Sequence, residues 1–164
     1  MPSQKQENVK YYFDLQEALQ KLEKPQKGFL KTTISEGKSQ IKQVKKIEWQ
    51  KELAFFEQAN LNKPALRGMY QEQKKQKQDT TFIYYTSKSD ELKVKSLKVA
   101  LLKDSSLVMA EAFIKTDNFL YSSEKYLTLI CKKNSIERYH IRGKQKMIFT
   151  EPEYFEVEAK RIGE

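Results

Sequence analysis

The sequence predicts an α+β protein: two short helices in the N-terminal half, then an antiparallel β-meander of about seven to nine strands curled as a half barrel around them. Three observations carry this. Apolar residues fall at helical spacing in two early segments, Leu15–Leu22 and Trp49–Ala59. From Met69 onward, runs rich in β-branched and aromatic residues recur every roughly 8 to 12 residues with polar turns between them. No alternation of strand and helix appears, which argues against a parallel sheet.

Residues 1–10, "MPSQKQENVK", are polar and read as a flexible tail, leaving 11–164 as a single domain. Asp14 has the position of a helix N-cap, with Glu17 three residues on as in a capping box. Leu15, Ala18, Leu19 and Leu22 then form one apolar stripe, and Pro25 predicts a stop near Lys24. "GFLKTTISEGKSQIKQVKKI" reads as a hairpin turning at Glu36-Gly37, polar enough for an exposed sheet edge. The second helix spans Trp49 to Ala59, with Trp49, Leu53, Phe56 and Asn60 in one line and Phe55 beside it. Pro64 and Gly68 in "NLNKPALRG" end that element.

"MYQEQ" and the polar "KKQKQD" lead into the strand "TTFIYYT", whose Phe82 and Tyr84 share one face and Ile83 and Tyr85 the other. Lys93–Leu102 and Leu107–Thr116 pair through "KDSS". Phe119–Cys131, Ser135–Arg142, Lys144–Thr150 and Tyr154–Arg161 complete the meander.

The centre of the meander is apolar on both faces. Val108, Ala110, Ala112 and Ile114 lie on one side of their strand, and Leu107, Met109 and Phe113 on the other beside Glu111 and Lys115. A one-sided sheet alternates more cleanly. Two short helices are too small to blanket the concave side of so wide a sheet. The small residues Ala110 and Ala112 therefore mark a close approach, either of the Trp49 helix or of an apolar ligand. In the ligand case Trp49, Phe56, Phe82, Ala110 and Ala112 are the expected lining.

The charge is lopsided, with 31 Lys plus Arg against 22 Asp plus Glu, a net +9. The excess is spread along the chain and is lysine-dominated, Arg67, Arg138, Arg142 and Arg161 being the arginines. Phosphate and base recognition favours the planar guanidinium fork, so nucleic acid is not an expected partner. No run of 18 apolar residues exists, so no transmembrane segment is expected.

No catalytic pattern emerges. In "ERYHIRG", Arg138, His140 and Arg142 share a strand face, which reads as an anion site, as a general base flanked by cations or, more simply, as a solvated face. Cys131, the single cysteine, sits in an apolar strand like a structural thiol. One His and one Cys nine residues apart make poor metal ligands, so neither metal nor cofactor is expected. In "EPEYFEVE", Glu156 and Glu158 share a face and are expected to pair with lysines rather than hold a cation. There is no phosphate loop, dinucleotide fingerprint or nucleophile elbow.

"VKYYFDLQEALQKLEK", "IEWQKELAFFEQANLNKPALRGMY", "LKVKSLKV" and "IKTDNFLYSSEKYLTL" together resemble a group of uncharacterised cell-envelope lipoproteins of Gram-negative bacteria. The resemblance runs from about Val9 to about Glu158, and "NKPALRG" followed by "NFLYSSEK" is its most specific part. It implies a mature protein released from a signal peptide and tethered in the periplasm by a lipidated cysteine. That cysteine is missing here, so Met1 stands for a removed leader; if Met1 is the native start, a cytoplasmic location follows instead. No site residues come with the resemblance. In outline the predicted fold is also similar to the lipoprotein-carrier half barrel, which shields acyl chains. The expected function is thus a non-enzymatic envelope module binding an apolar or amphipathic ligand such as a lipid, or an envelope protein, on its concave face. A closed-core structural or protein-interaction module is the first alternative, and a weak polyanion binder the second.

Overall fold

In the computed structural model, residues 10–25, 28–35, 38–44 and 46–162 are described. The predicted tail, apart from Lys10, and the predicted Glu36-Gly37 turn lie outside them. The architecture is α+β. Helix α1 spans Leu15–Lys21 and helix α2 Trp49–Glu57. The strands are β1 (Phe29–Ser35), β2 (Lys38–Val44), β3 (Tyr70–Lys77), β4 (Thr80–Ser87), β5 (Val94–Leu102), β6 (Leu107–Asp117), β7 (Tyr121–Lys132), β8 (Ser135–Met147) and β9 (Glu153–Arg161). They form one open antiparallel sheet in the order β2-β1-β9-β8-β7-β6-β5-β4-β3. The meander is thus extended at its C-terminal end by the N-terminal hairpin, through pairs such as Lys31 with Ala159 and Thr33 with Val157.

The helices start and stop for local reasons. Asp14 caps α1, its carboxylate accepting the Glu17 amide at 3.1 Å. The return half of the capping box is absent, because Glu17 instead pairs with Lys21 and Lys10. The helix ends at Lys21, before the expected stop near Lys24. Leu22 is extended there, and Glu23 exchanges backbone hydrogen bonds with Asn134 and Ile136 at the β7–β8 turn. Helix α2 ends two residues before the expected Ala59, and Asn60 turns its side chain to the backbone amides of Leu15 and Asn62.

Register shows which strand face is inside. Ile83, Val99, Ala110, Leu129, Tyr139 and Ala159 form one row across β4–β9, and all are buried. Tyr85, Leu97, Ala112, Leu127 and Ile141 form the next, also buried. The helices sit on this face. Helix α1 begins beside β4, where the Phe13 amide donates to the Tyr85 hydroxyl at 2.9 Å, and exits at the β7–β8 turn. Helix α2 lies nearer β1 and β8: Trp49 packs edge-on against Phe29 and Tyr139, and its indole N–H donates to the Pro25 carbonyl at 2.8 Å.

Three strand expectations are corrected. Ser135–Arg142 and Lys144–Thr150 are not two strands: β8 runs unbroken through Gly143 to Met147. The Phe155 ring of β9 lies where a Gly143 side chain would stand, so the glycine makes room for an aromatic cover and does not turn the chain. Leu107, expected on the outer face, is buried in the core, because a bulge sets it opposite Leu101 and leaves Val108 as the extra residue. The polar stretch after "MYQEQ" belongs to β3, an edge strand whose exposed Lys74, Lys75 and Lys77 discourage further pairing.

Candidate functional site

Four of the five expected lining residues belong to the buried core. Trp49 and Phe56 of α2 and Ala110 and Ala112 of β6 are all buried in a single apolar cluster with Leu15, Leu19, Leu53, Leu127 and Tyr139. The fifth, Phe82, is on the wrong side to join them. It alternates with the buried Ile83 and lies opposite Ala100 and Lys75 on the outer face, with Lys98 Nζ 5.6 Å from its ring centre. Alternation along β4 separates Phe82 from Ile83 correctly; only the helices decide which of the two is inside.

The outer face accounts for the two-sided apolarity. Phe113 and Tyr126 are register partners and stack with ring centres 4.6 Å apart, and the Arg142 guanidinium lies 5.0 Å over Tyr126. Lys98 stands over both Phe82 and Tyr84, and Lys75 over Tyr84 from the other side. Long basic side chains thus lay their stems and charges on the second apolar face, a cover drawn from the chain itself.

The concave face is less sealed toward β2. A hollow of about 340 Å³ opens there between α2 and the N-terminal hairpin, lined by Lys31, Thr33, Gln40, Lys46, Ile47, Glu48, Lys51 and Glu52. At its floor the Glu52 carboxylate receives the Lys31 ammonium at 2.5 Å on one oxygen and the Tyr139 hydroxyl at 2.6 Å on the other. Burial first, and then the hydrogen bond to Glu52, push the Tyr139 phenol far above its ordinary value. The hollow is polar, and Lys31 pairs with Glu52 and Lys51 with Glu48 along its walls. Nothing in the sequence spacing linked Lys31, Glu52 and Tyr139, which come from three separate elements.

The remaining chemical candidates are engaged in structure. His140 Nε2 lies 2.5 Å from Glu156 Oε1 across the β8–β9 pair, and Arg138 meets Glu158 at 3.3 Å. The two glutamates therefore pair with His140 and Arg138, not with lysines, while Arg142 of the same "ERYHIRG" face lies over the Tyr126 ring. Cys131 is buried, and desolvation, with a smaller contribution from Glu137, raises its thiol to about 12. Among the described residues, no three His, Cys, Asp or Glu side chains are grouped to hold a metal ion.

Sequence reading missed one surface feature. Phe119 and Leu120 in the β6–β7 turn, and Met147, Ile148 and Phe149 after β8, are exposed side by side around a single shallow hollow. The signal lay in "DNFLY" and "KMIFTEP", where apolar residues occupy turn positions that favour polar ones.

The fold and these sites define an open antiparallel half barrel filled by its own helices. Comparison of the chain with protein-family models, with curated proteins and with solved structures finds no match.

Proposed function

We propose that this protein is a non-enzymatic, cell-envelope lipoprotein-like module that acts through its surface, with the interior of its half barrel closed. The observation that carries this reading is the burial of Trp49, Phe56, Ala110 and Ala112 within one core cluster. The side chains that would line a ligand chamber already contact the protein's own helices and strands. Displacing them would return that apolar area to water, at about 25 cal/mol per Å². The non-catalytic part is supported by the engagement of His140 with Glu156 and by the buried, protonated state of Cys131. The envelope setting comes from the motif resemblance. One of its motifs has a clear local role: in "NLNKPALRG", Asn60, Asn62 and Leu66 bind the backbone of Tyr11 and Leu15 and the hydroxyl of Tyr12.

Native mass spectrometry of protein purified without detergent, before and after organic extraction, tests the closed interior. The expected result is the bare chain mass in both samples. An added mass that extraction removes would replace this reading with that of a carrier holding an apolar ligand among the same residues.

A further inference from the structure

Five large apolar side chains protrude at one end of the sheet. Phe119 is 86% exposed, Phe149 97%, and Leu120 and Met147 each 58%, with Ile148 beside them. They come from two neighbouring connections, β6–β7 and β8–β9, which are built as ordered turns. The Ile148 amide donates to the Leu120 carbonyl at 3.0 Å, and Tyr121 pairs with Met147. The Asn118 side chain accepts the amides of Leu120 and Tyr121 at 2.9 and 3.0 Å, and the Thr150 amide and hydroxyl both donate to the Met147 carbonyl. Phe149 has φ +64, a left-handed backbone that aromatic residues seldom adopt. A strained, almost fully exposed phenylalanine at a firmly held turn gains nothing from packing in this chain.

We infer that these two turns form a membrane-docking tip that inserts Phe119, Leu120, Met147, Ile148 and Phe149 into the interfacial region of a phospholipid bilayer. Shape favours a bilayer over a protein partner. The side chains project from two turn tips around a shallow hollow and offer no broad flat patch, whereas a stable protein interface covers about 800 Å² per partner. Set back from the tips stand Lys144 and Lys146, with Asp117, Glu151 and Glu153 near them, two basic against three acidic side chains, so the rim itself supplies no attraction to an anionic surface. The chain as a whole carries +9, which attracts it to an anionic lipid surface and lets the apolar tips supply the attachment. The described chain enters the fold at Lys10 and Tyr11 beside Asn62 and Arg67, just before the first residue of β3. Tyr70 pairs with Ser87, and the register carried through Val94 with Ile114 and Asp117 with Ser122 puts that residue at the same end of the sheet as both apolar turns. The first described residues and the two apolar turns therefore lie at the same end of the sheet.

The inference rests on the surface-acting reading only in taking the work to be done outside the core. Native mass reports on that reading, and vesicle partition reports on this one. The test is co-sedimentation of the full chain with phosphatidylethanolamine–phosphatidylglycerol vesicles, for wild type, F119S/F149S and K144Q/K146Q, with melting temperature and gel filtration alongside. The expected result is pelleting of wild type, binding at least about tenfold weaker for F119S/F149S at an unchanged melting temperature, and a smaller loss for K144Q/K146Q. Wild type that stays in the supernatant would overturn the inference. So would F119S/F149S pelleting like wild type, which would mean adsorption by charge alone. A wild-type dimer abolished by F119S/F149S, without vesicle binding, would overturn it in favour of a protein contact.

Discussion

Single side chains hold the N-terminal segment in place. The Tyr12 hydroxyl donates to the Leu66 carbonyl at 2.7 Å and accepts the amides of Met69 and Tyr70 at 3.1 and 3.2 Å, while its ring meets Tyr70 and Tyr85 edge-on. Tyr12→Phe keeps the ring and removes three hydrogen bonds, among them that of the Tyr70 amide, while the Met69 amide keeps the Leu66 carbonyl at 3.1 Å. It is expected to lower stability by about 1–3 kcal/mol in urea titrations; a loss under a few tenths would mean water replaces the hydroxyl. Asn60 and Asn62 act in the same way, closing the otherwise unpaired amides at the start of α1 and just before it. At this scale the sequence was partly legible. Asp14 as a cap could be read because its partner is three residues away. The tyrosine and asparagine contacts reach across 45 residues or more, and no local pattern encodes them.

Among the elements, β8 shows how a neighbour decides what a residue means. Gly143 looks like a break, yet it is the place where Phe155 lays its ring across the sheet. Gly143→Ala should cost about 1–3 kcal/mol through overpacking. Phe155→Ala should remove most of that cost, so the double variant should be clearly less destabilised than the sum of the singles. Strict additivity would mean that the ring does not meet the new methyl. The same dependence explains Leu107, moved inward by a bulge, and Phe82, which faces the lysines of the outer surface.

For the whole molecule, one core couples helices and sheet, and several buried acids report on its integrity. Burial raises Tyr70 and Cys131 to about 12 and pushes Tyr85 and Tyr139 higher still, in each case chiefly by desolvation. The folded protein holds these protons more tightly than the unfolded chain. Their stabilising effect is therefore complete below the unfolded values, 9.0 for the thiol and 10.0 for the phenols, and is lost as pH rises through the folded ones. A pH titration followed by tyrosinate absorbance and circular dichroism should show two phases. The phenols of Tyr70, Tyr85 and Tyr139 ionise in the later phase, together with unfolding. Cys131 should stay unreactive to thiol reagents until that second phase. All nine tyrosines titrating in one phase before any structural loss would contradict the packed core.

The sequence by itself determined the class of fold, the two helices, the meander and the polar edges, because spacing and alternation are set by neighbours a few residues apart. It also singled out Trp49, Phe56, Ala110 and Ala112, all of which are buried in the core. The tertiary structure alone decided that the N-terminal hairpin joins β9, which face of β4 is inside, how Lys98 and Arg142 cover the outer face, and that two apolar turns stand side by side at one end. Each of these is a meeting of segments distant in the chain, fixed by the balance of burial and exposure over the assembled sheet, and no run of local residues carries that information.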